Sequence, residues 1–304
     1  MNTAQRGVAV VMALGVVALA AIAVTAMMTT QSIWSRETEL EGDHAQAQFL
    51  IQSGMDWARA VLSDDRRLSN VDHLKEPWAL RLPPMPVDNG ELAGYLEDQQ
   101  GTFNLNNLVL GGKISVVQLE RFRRLLAMLG LPDSLAYALA DWIDADSDEQ
   151  PIAGAEDDYY MSLQSPHLAA NRPLTDVAEL ARVRGFSDDV RARLGPFVSA
   201  LPANTAVNVN TAPPEVLSAV IDGLDLDGAR ALVAQRERAY FRDYADFANR
   251  LPRGVTTANS DFKVSSNYFV ARVRVSIGGA EARGLALLAR ADVGWPAIIW
   301  RKIQ

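Results

Sequence analysis

The chain has no cysteine, only 3 histidines and no excess of positive charge. Without cysteine there are no disulfides and no thiolate metal sites, so any staple beyond the apolar core must be a hard cation held by oxygen. His44, His73 and His167 are scattered. No Gly-x-Ser-x-Gly, Walker loop or His-Glu-x-x-His stretch is present, so the sequence reads as that of a non-enzyme. The 29 Lys and Arg stand against 37 Asp and Glu, a net charge of −8. A general nucleic-acid binder needs the opposite balance, because its affinity comes from neutralising phosphates. In one place charge is missing altogether: no ionisable side chain lies between Arg6 and Arg36.

That uncharged stretch, apolar from Val8 to Met28, is a span by length. About 20 helical residues at ~1.5 Å each cross a ~30 Å hydrocarbon core, whereas a secretory h-region takes only ~7–15. It is apolar all round rather than on one stripe, which excludes an ordinary surface helix of a soluble domain. Ala21-Ile22-Ala23 and Val24-Thr25-Ala26 nevertheless resemble signal-peptidase sites, so a cleaved leader ending near Ala26 stays the rival. Arg6 before the span places the N-terminus in the cytoplasm and the rest across the membrane.

Beyond the span no proline interrupts Gln31–Leu62, and Phe49, Leu50, Met55, Trp57 and Val61 recur at helical spacing. One long helix from Val8 to about Leu62 is predicted, with Gly42 and Gly54 as weak points. Short antiparallel strands are predicted at Trp78–Leu82, Glu91–Glu97 and Gly101–Leu105, separated by Asp88-Asn89-Gly90 and Asp98-Gln99-Gln100-Gly101 turns. Helices follow at Ser115–Leu129, Ser134–Ile143 (capped by Asp133), Asp176–Val183, Asp188–Leu194, Pro214–Leu224, Asp227–Ala239 and Tyr244–Arg250. The end returns to strands: Lys263–Ile277, a Gly278-Gly279 hairpin, Ala282–Arg290 and Ala297–Arg301. A helical block between two β portions is most simply an insertion into one α+β domain.

Three motifs carry function. Arg6-Gly7-Val8 before a long apolar helix resembles the prepilin-peptidase site of type IV pilins and pseudopilins, with cleavage after Gly7. The usual Glu at the fifth mature position is absent; Met12 stands there. The run Asp141–Tyr160 crowds eight carboxylates into eighteen residues, a costly arrangement without a counter-ion. Asp144, Asp146 and Asp148 alternate like the start of a calcium loop, but Glu149 and Ala155 stand where an EF-hand needs Gly and Glu. A different oxygen cage and a plain solvated loop both remain open. Val207–Phe247 looks like a helix-hairpin-helix unit, yet its hairpin Gly223-Leu224-Asp225-Leu226-Asp227-Gly228 puts two Asp where phosphate would sit. It reads as a packing unit without nucleic acid.

Taken in order, these pieces resemble one family, the minor pseudopilin K of the type II secretion system. Matching text includes the Arg6-Gly7 leader, Ala45-x-Ala47 with Gly54-x-x-Trp57-Ala58, Asp141-Trp142-Ile143-Asp144-x-Asp146 with Gly154-Ala155-Glu156-Asp157 and Tyr160, Asn208-Val209-Asn210-Thr211-Ala212, and Ser266 with Tyr268 and Phe269. The likeness spans essentially the whole chain, and the missing Glu is typical of that subunit. It implies a pilin-like α+β fold: a long N-terminal transmembrane helix and an antiparallel sheet, with a large helical insert of helix-hairpin-helix or SAM-like type. The expected divisions are a leader 1–7, a transmembrane helix 8–30, its periplasmic continuation 31–64, αβ portions 65–109 and 251–304, and an insert 110–250. It further implies no enzymatic activity and a place at the tip of the periplasmic pseudopilus with minor pseudopilins I and J. Processing by prepilin peptidase and inner-membrane anchoring with a periplasmic C-terminal domain are implied too. So is calcium in the acidic segment, with Asp144, Asp146, Asp148, Glu156 and Asp157 as candidates. Membrane-helix packing falls to Met12, Gly15 and Ala18. The competing class is a membrane-tethered helix-hairpin-helix DNA receptor of the competence type, which would need a basic face and a compact hairpin.

Overall fold

The computed structural model describes the backbone from Thr3 and side chains from Val10 to Gln304. Helix α1 runs unbroken over Thr3–Leu68, about 100 Å at ~1.5 Å per residue. Gly42 and Gly54 do not interrupt it. From Val10 to Met28 every apolar side chain is exposed, and α1 is the helix, among the described residues, long and apolar enough to cross a membrane. Its second half behaves differently. Ala47, Ile51, Met55, Ala58 and Leu62 follow a three-to-four spacing and are fully or almost fully buried.

They are buried against a five-stranded antiparallel sheet. Strands β1 (Leu82–Val87) and β2 (Gly90–Asp98) form a hairpin, followed far later by β9 (Tyr268–Ile277), β10 (Ala280–Ala289) and β11 (Ala297–Ile303), in the spatial order β1-β2-β9-β10-β11. Phe269, Ala271, Val273 and Val275 face α1, as the alternation in the sequence requires. Two glycines set how close the helix lies. A Cβ at Gly54 would meet Val273 Cγ1 at 2.8 Å, and one at Gly284 would collide with Ile51 and meet Met55 Cε at 2.7 Å. Replacing Gly284 by Leu is expected to wedge α1 off the sheet and cost roughly 1–3 kcal/mol, read as a fall in thermal unfolding temperature. An unchanged melt would mean that the helix seats elsewhere.

The chain between Asp98 and Tyr268 forms a separate helical body with its own core around Phe103, Phe122, Leu139, Tyr160, Leu217 and Phe247. It contains α2 (Val116–Met128), α3 (Ser134–Ile143), α4 (Asp157–Met161), α5 (Asp188–Leu194), α6 (Pro214–Val220), α7 (Leu226–Arg238) and α8 (Tyr244–Asn249). Paired two-residue strands tie it together: β3 (Phe103–Asn104) with β6 (Val198–Ser199), β4 (Val109–Leu110) with β5 (Lys113–Ile114), and β7 (Val207–Asn208) with β8 (Phe262–Lys263). Asp98 is paired with Phe269 in the main sheet. The helical body is therefore an excursion from one antiparallel hairpin.

Several local expectations fail for identifiable reasons. Trp78 is not in a strand: Pro77–Ala79 makes a 3-10 turn that buries the indole and lets its Nε1 donate to Glu76 Oε2 at 2.9 Å. The strand instead carries Pro83, Pro84 and Pro86, tolerated because β1 is a sheet edge. Phe103–Asn104 joins the helical body rather than the meander. Asp133 does not cap α3; its carboxylate accepts from Arg123 Nη2 at 2.9 Å. Residues 177–182 form a 3-10 rather than an α-helix, capped by Asp176. The predicted strand Lys263–Ile277 breaks at Ser266 and Asn267, whose N–H groups go to Asp72 Oδ2 (2.7 Å) and Gln100 Oε1 (2.6 Å) instead of a ladder.

Candidate functional site

The acidic segment is built on a helix buried almost all round. Helix α3 exposes little of itself, so Asp141 and Asp144 at its C-terminal end are carried inside with it. The following loop curls back: Gln150 N–H and Ala155 N–H both donate to Asp141 Oδ2 at 3.0 Å. Gly154 permits that turn, since a Cβ there would run into the Asp141 carboxylate and the Gln150 backbone. The loop returns Glu156, also buried, next to both aspartates.

Four carboxylate oxygens in this pocket, Asp141 Oδ1, Asp144 Oδ1 and both of Glu156, are buried and find no hydrogen-bond partner among the described residues. Burial, reinforced by the neighbouring negative charges, pushes Asp144 up to about 7 and Glu156 up to about 8. Asp141 rises to about 6, chiefly through burial, with its two backbone donors holding it back. Buried, unpartnered carboxylates of one sign are the donor set a hard divalent cation satisfies. Of the residues predicted as ligands, Asp144 and Glu156 lie in this buried group. Asp146 and Asp148 lie on the exposed loop, where Asp146 Oδ1 accepts from Asp148 N–H at 3.0 Å. Asp157 is half-buried and uses Oδ1 to accept from Ala169 N–H at 2.9 Å. Sequence reasoning left out Asp141; the signal for it was an acidic residue in the middle of an otherwise apolar helical face.

A second polar cluster fixes the helical body to the sheet. Asp65, Asp72 and Glu76 bring carboxylate oxygens within 4.8 Å of one another, all buried. Here the cation is supplied by the chain: Arg290, whose side chain is 1% exposed, donates from Nη1 to Asp65 Oδ2 at 2.8 Å and from Nη2 to Asp72 and to Ser266 O. Burial, then the charges of Glu76 and Asp72, still raise Asp65 to about 7. Beside this pair, Asn208 Nδ2 donates to Asp98 Oδ2 and Ser266 Oγ, both at 3.0 Å, and Thr211 Oγ1 donates to Asp98 Oδ2 at 2.6 Å. Asn210 clasps the backbone of Phe241 from both sides, and Arg236 Nη1 donates to Val209 O at 2.8 Å and also to Ala212 O. The Asn-Val-Asn-Thr-Ala motif is thus a structural knot. In the hairpin after it, Asp225 is spent capping α7 at Gly228 N–H (2.8 Å) and Asp227 pairs with Arg230 at 3.1 Å.

The knot lies at the end of the molecule remote from the apolar half of α1. Helix α1 and β2 run the same way: Gly90 at the start of β2 pairs with Ile277 beside Gly278, which packs on Asp43, while Asp98 at its end reaches the Asp72 cluster beyond Leu68. Met12, Gly15 and Ala18 lie on the exposed part of α1. Gly7 and Val8 fall outside the residues whose side chains are described.

Comparison with known proteins agrees with this layout. Models of "Type II secretion system (T2SS), protein K" match residues 101–203 and 207–265, which together cover most of the helical body. The type II secretion system protein K of Pseudomonas aeruginosa is 37% identical over 97% of this chain and 91% of its own. That of Klebsiella pneumoniae is 33% identical over 95% and 94%. Among solved structures, a chain of the GspK-GspI-GspJ complex from the enterotoxigenic Escherichia coli type 2 secretion system superposes with a TM-score of 0.78 at 27% identity, over 88% of this chain and 99% of that one. Likeness at 37% and 33% identity runs along nearly the full length of both the chain and these relatives, and the solved structure shares the fold over most of the chain: the chain belongs to the type II secretion system protein K family.

Proposed function

We propose that this pseudopilin caps the tip of a periplasmic pseudopilus with partners equivalent to GspI and GspJ, and promotes its assembly for protein export. The observation that carries the reading is the position of the helical body at the end of α1 remote from its apolar half, where the next subunit of a growing filament would have to stack. Its bulk there obstructs addition from above. Met12 fits the same role, because a subunit with nothing above it needs no carboxylate at that height. Below, Gly15 and Ala18 give neighbouring helices close approach in the membrane, and Phe49 and Trp57 project from the flank of α1 that the sheet leaves exposed. Cleavage by prepilin peptidase between Gly7 and Val8 frees the helix for that packing. The chain is then anchored in the inner membrane with residues after the span in the periplasm.

Calcium is proposed for the acidic segment, held by Asp141, Asp144 and Glu156, with Asp146, Asp148 and Asp157 as further candidates. The ion supplies positive charge and oxygen coordination. The protein's own residues deliver three buried carboxylates on a preformed loop and give up protons as they ligate. No nucleic-acid role is proposed for the α6–α7 unit, whose hairpin aspartates are engaged and whose motif asparagines are buried.

Because Asp98 and Phe269 are paired neighbours, residues 101–265 can be replaced by a short Gly-Ser linker without opening the sheet. In cells overproducing the major pseudopilin, that shortened subunit should give fewer terminated and longer filaments than the full chain. Identical length distributions would remove the capping role.

A further inference from the structure

The sheet face turned away from α1 is only partly covered. The helical body folds over its upper part, where Leu201 packs on Val270 and Leu287. The lower part is an open groove of about 580 Å³ whose charged lining is all basic: Arg81, Arg272, Arg274, Arg283 and Lys302 around a floor that includes Tyr95 and Leu285. Such a concentration runs against the net charge of −8 of the chain. Register explains the arrangement. Arg272 and Arg274 alternate on β9, Arg283 stands directly across from Arg274 on β10, and Lys302 lies across from Leu285 on β11.

We propose that this groove docks an extended acidic segment of a partner protein, with aspartates or glutamates at alternate positions and one apolar or aromatic side chain between them. Residues two apart on a strand are about 6.6 Å apart, so alternate carboxylates of an extended chain match Arg272 and Arg274, while Leu285 and Tyr95 receive the apolar group. The cations are free to exchange partners. Arg272 with Glu97, Arg274 and Arg283 with Glu281, and Lys302 with Asp176 form pairs in which each cation is 41–67% exposed. Exposed pairs of this kind hold weakly and yield readily to an incoming carboxylate. Arg81 has no carboxylate partner among the described residues and lies 4.4 Å over the Tyr95 ring. That the groove faces away from a filament packed through α1 rests on the pseudopilus reading; the binding itself does not.

The test uses the full chain in detergent and a fluorescein-labelled peptide of alternating Asp and Thr with one central Phe, read by anisotropy at about 50 mM salt. Saturable binding is expected, weakened about tenfold or more by combined Arg81→Gln, Arg274→Gln and Arg283→Gln, and unaffected by Arg230→Gln with Arg238→Gln on α7. A peptide of the same composition with its aspartates contiguous should bind less tightly. The proposal is overturned by absence of binding, by equal loss in the α7 variant, by equal affinity for the contiguous peptide, or by inorganic polyphosphate binding as tightly at matched charge. Because the assay contains no filament, a negative result leaves the capping role to its own experiment.

Discussion

Stripping divalent cations from the full chain is expected to lower the unfolding temperature of the helical body, and by more at pH 8 than at pH 5. Three buried carboxylates set the sign. Asp141, Asp144 and Glu156 take folded values of about 6, 7 and 8 against ordinary values of 3.8, 3.8 and 4.5. A folded value above the unfolded one means that the native state binds the proton more tightly. The contribution of these groups is complete below about pH 4, shrinks as the pH rises from there, and is gone once the pH has passed the folded values, a window of about pH 4–8. In chelator the melt should therefore fall steadily across that window, by roughly 2–4 °C for each kcal/mol in a body of this size. Added calcium should restore the melt and flatten its pH dependence, because the ion takes the place of the protons. Asp141→Asn with Glu156→Gln should make the protein less sensitive to both chelator and pH. Equal melts with chelator and with calcium at pH 8 would dismiss the cation site. A steep slope surviving in the double variant would place the titration elsewhere, with Asp65 the next group to examine.

Arg290→Met should be the most damaging single substitution outside the two apolar cores. It leaves Asp65 and Asp72 buried without their cation and frees Ser266 O from its donor. Breaking one side of a buried pair costs roughly 3–5 kcal/mol, against about 1 kcal/mol or less for an exposed pair such as Arg67 with Asp64. The loss is expected to show as a separate, earlier melt of the helical body relative to the sheet, since the knot joins the two. Adding Asp72→Asn to Arg290→Met should recover part of the loss, because it removes one of the stranded charges. A loss no larger than that of Arg67→Met, or no recovery in the double variant, would show that the two parts are held by something else. The same cluster clarifies what a group of carboxylates means. Asp65, Asp72 and Glu76 approach one another closely, but the guanidinium of Arg290 pairs with the two aspartates, whereas Asp141, Asp144 and Glu156 have no side-chain cation paired with them among the described residues, and only the second set carries the proposed cation.

The sequence by itself determined the parts that depend on periodicity and on neighbours along the chain. The apolar run Val8–Met28 specifies a helix long enough to cross a membrane, and the alternation of Ala271, Val273 and Val275 with Arg272 and Arg274 specifies the face of β9 turned to α1. The stripe of α1 was legible only in part, since Met55 is buried while Phe49 and Trp57, named for the same spacing, are exposed. Hairpins are similarly local, as with Gly278 at the β9–β10 turn, whereas the cap expected at Asp133 fails because its carboxylate is taken by Arg123. The ordered motifs were enough to point to the family. What only the tertiary structure decided concerns partners far apart in sequence. Arg290 meets Asp65 and Asp72 across more than two hundred residues, and no local pattern distinguishes it from the surface arginines of β9. Asp141 was legible as one more carboxylate of an acidic run; its burial follows from how α3 is enclosed by the rest of the helical body. Ser266 and Asn267 lie inside an alternating stretch, yet side chains from Asp72 and Gln100 claim their N–H groups and end the strand. A side chain's helix or strand preference is set within a turn or two. Its charge state and its role depend on what the fold brings to it, because desolvation and ion pairing are decided by neighbours in space.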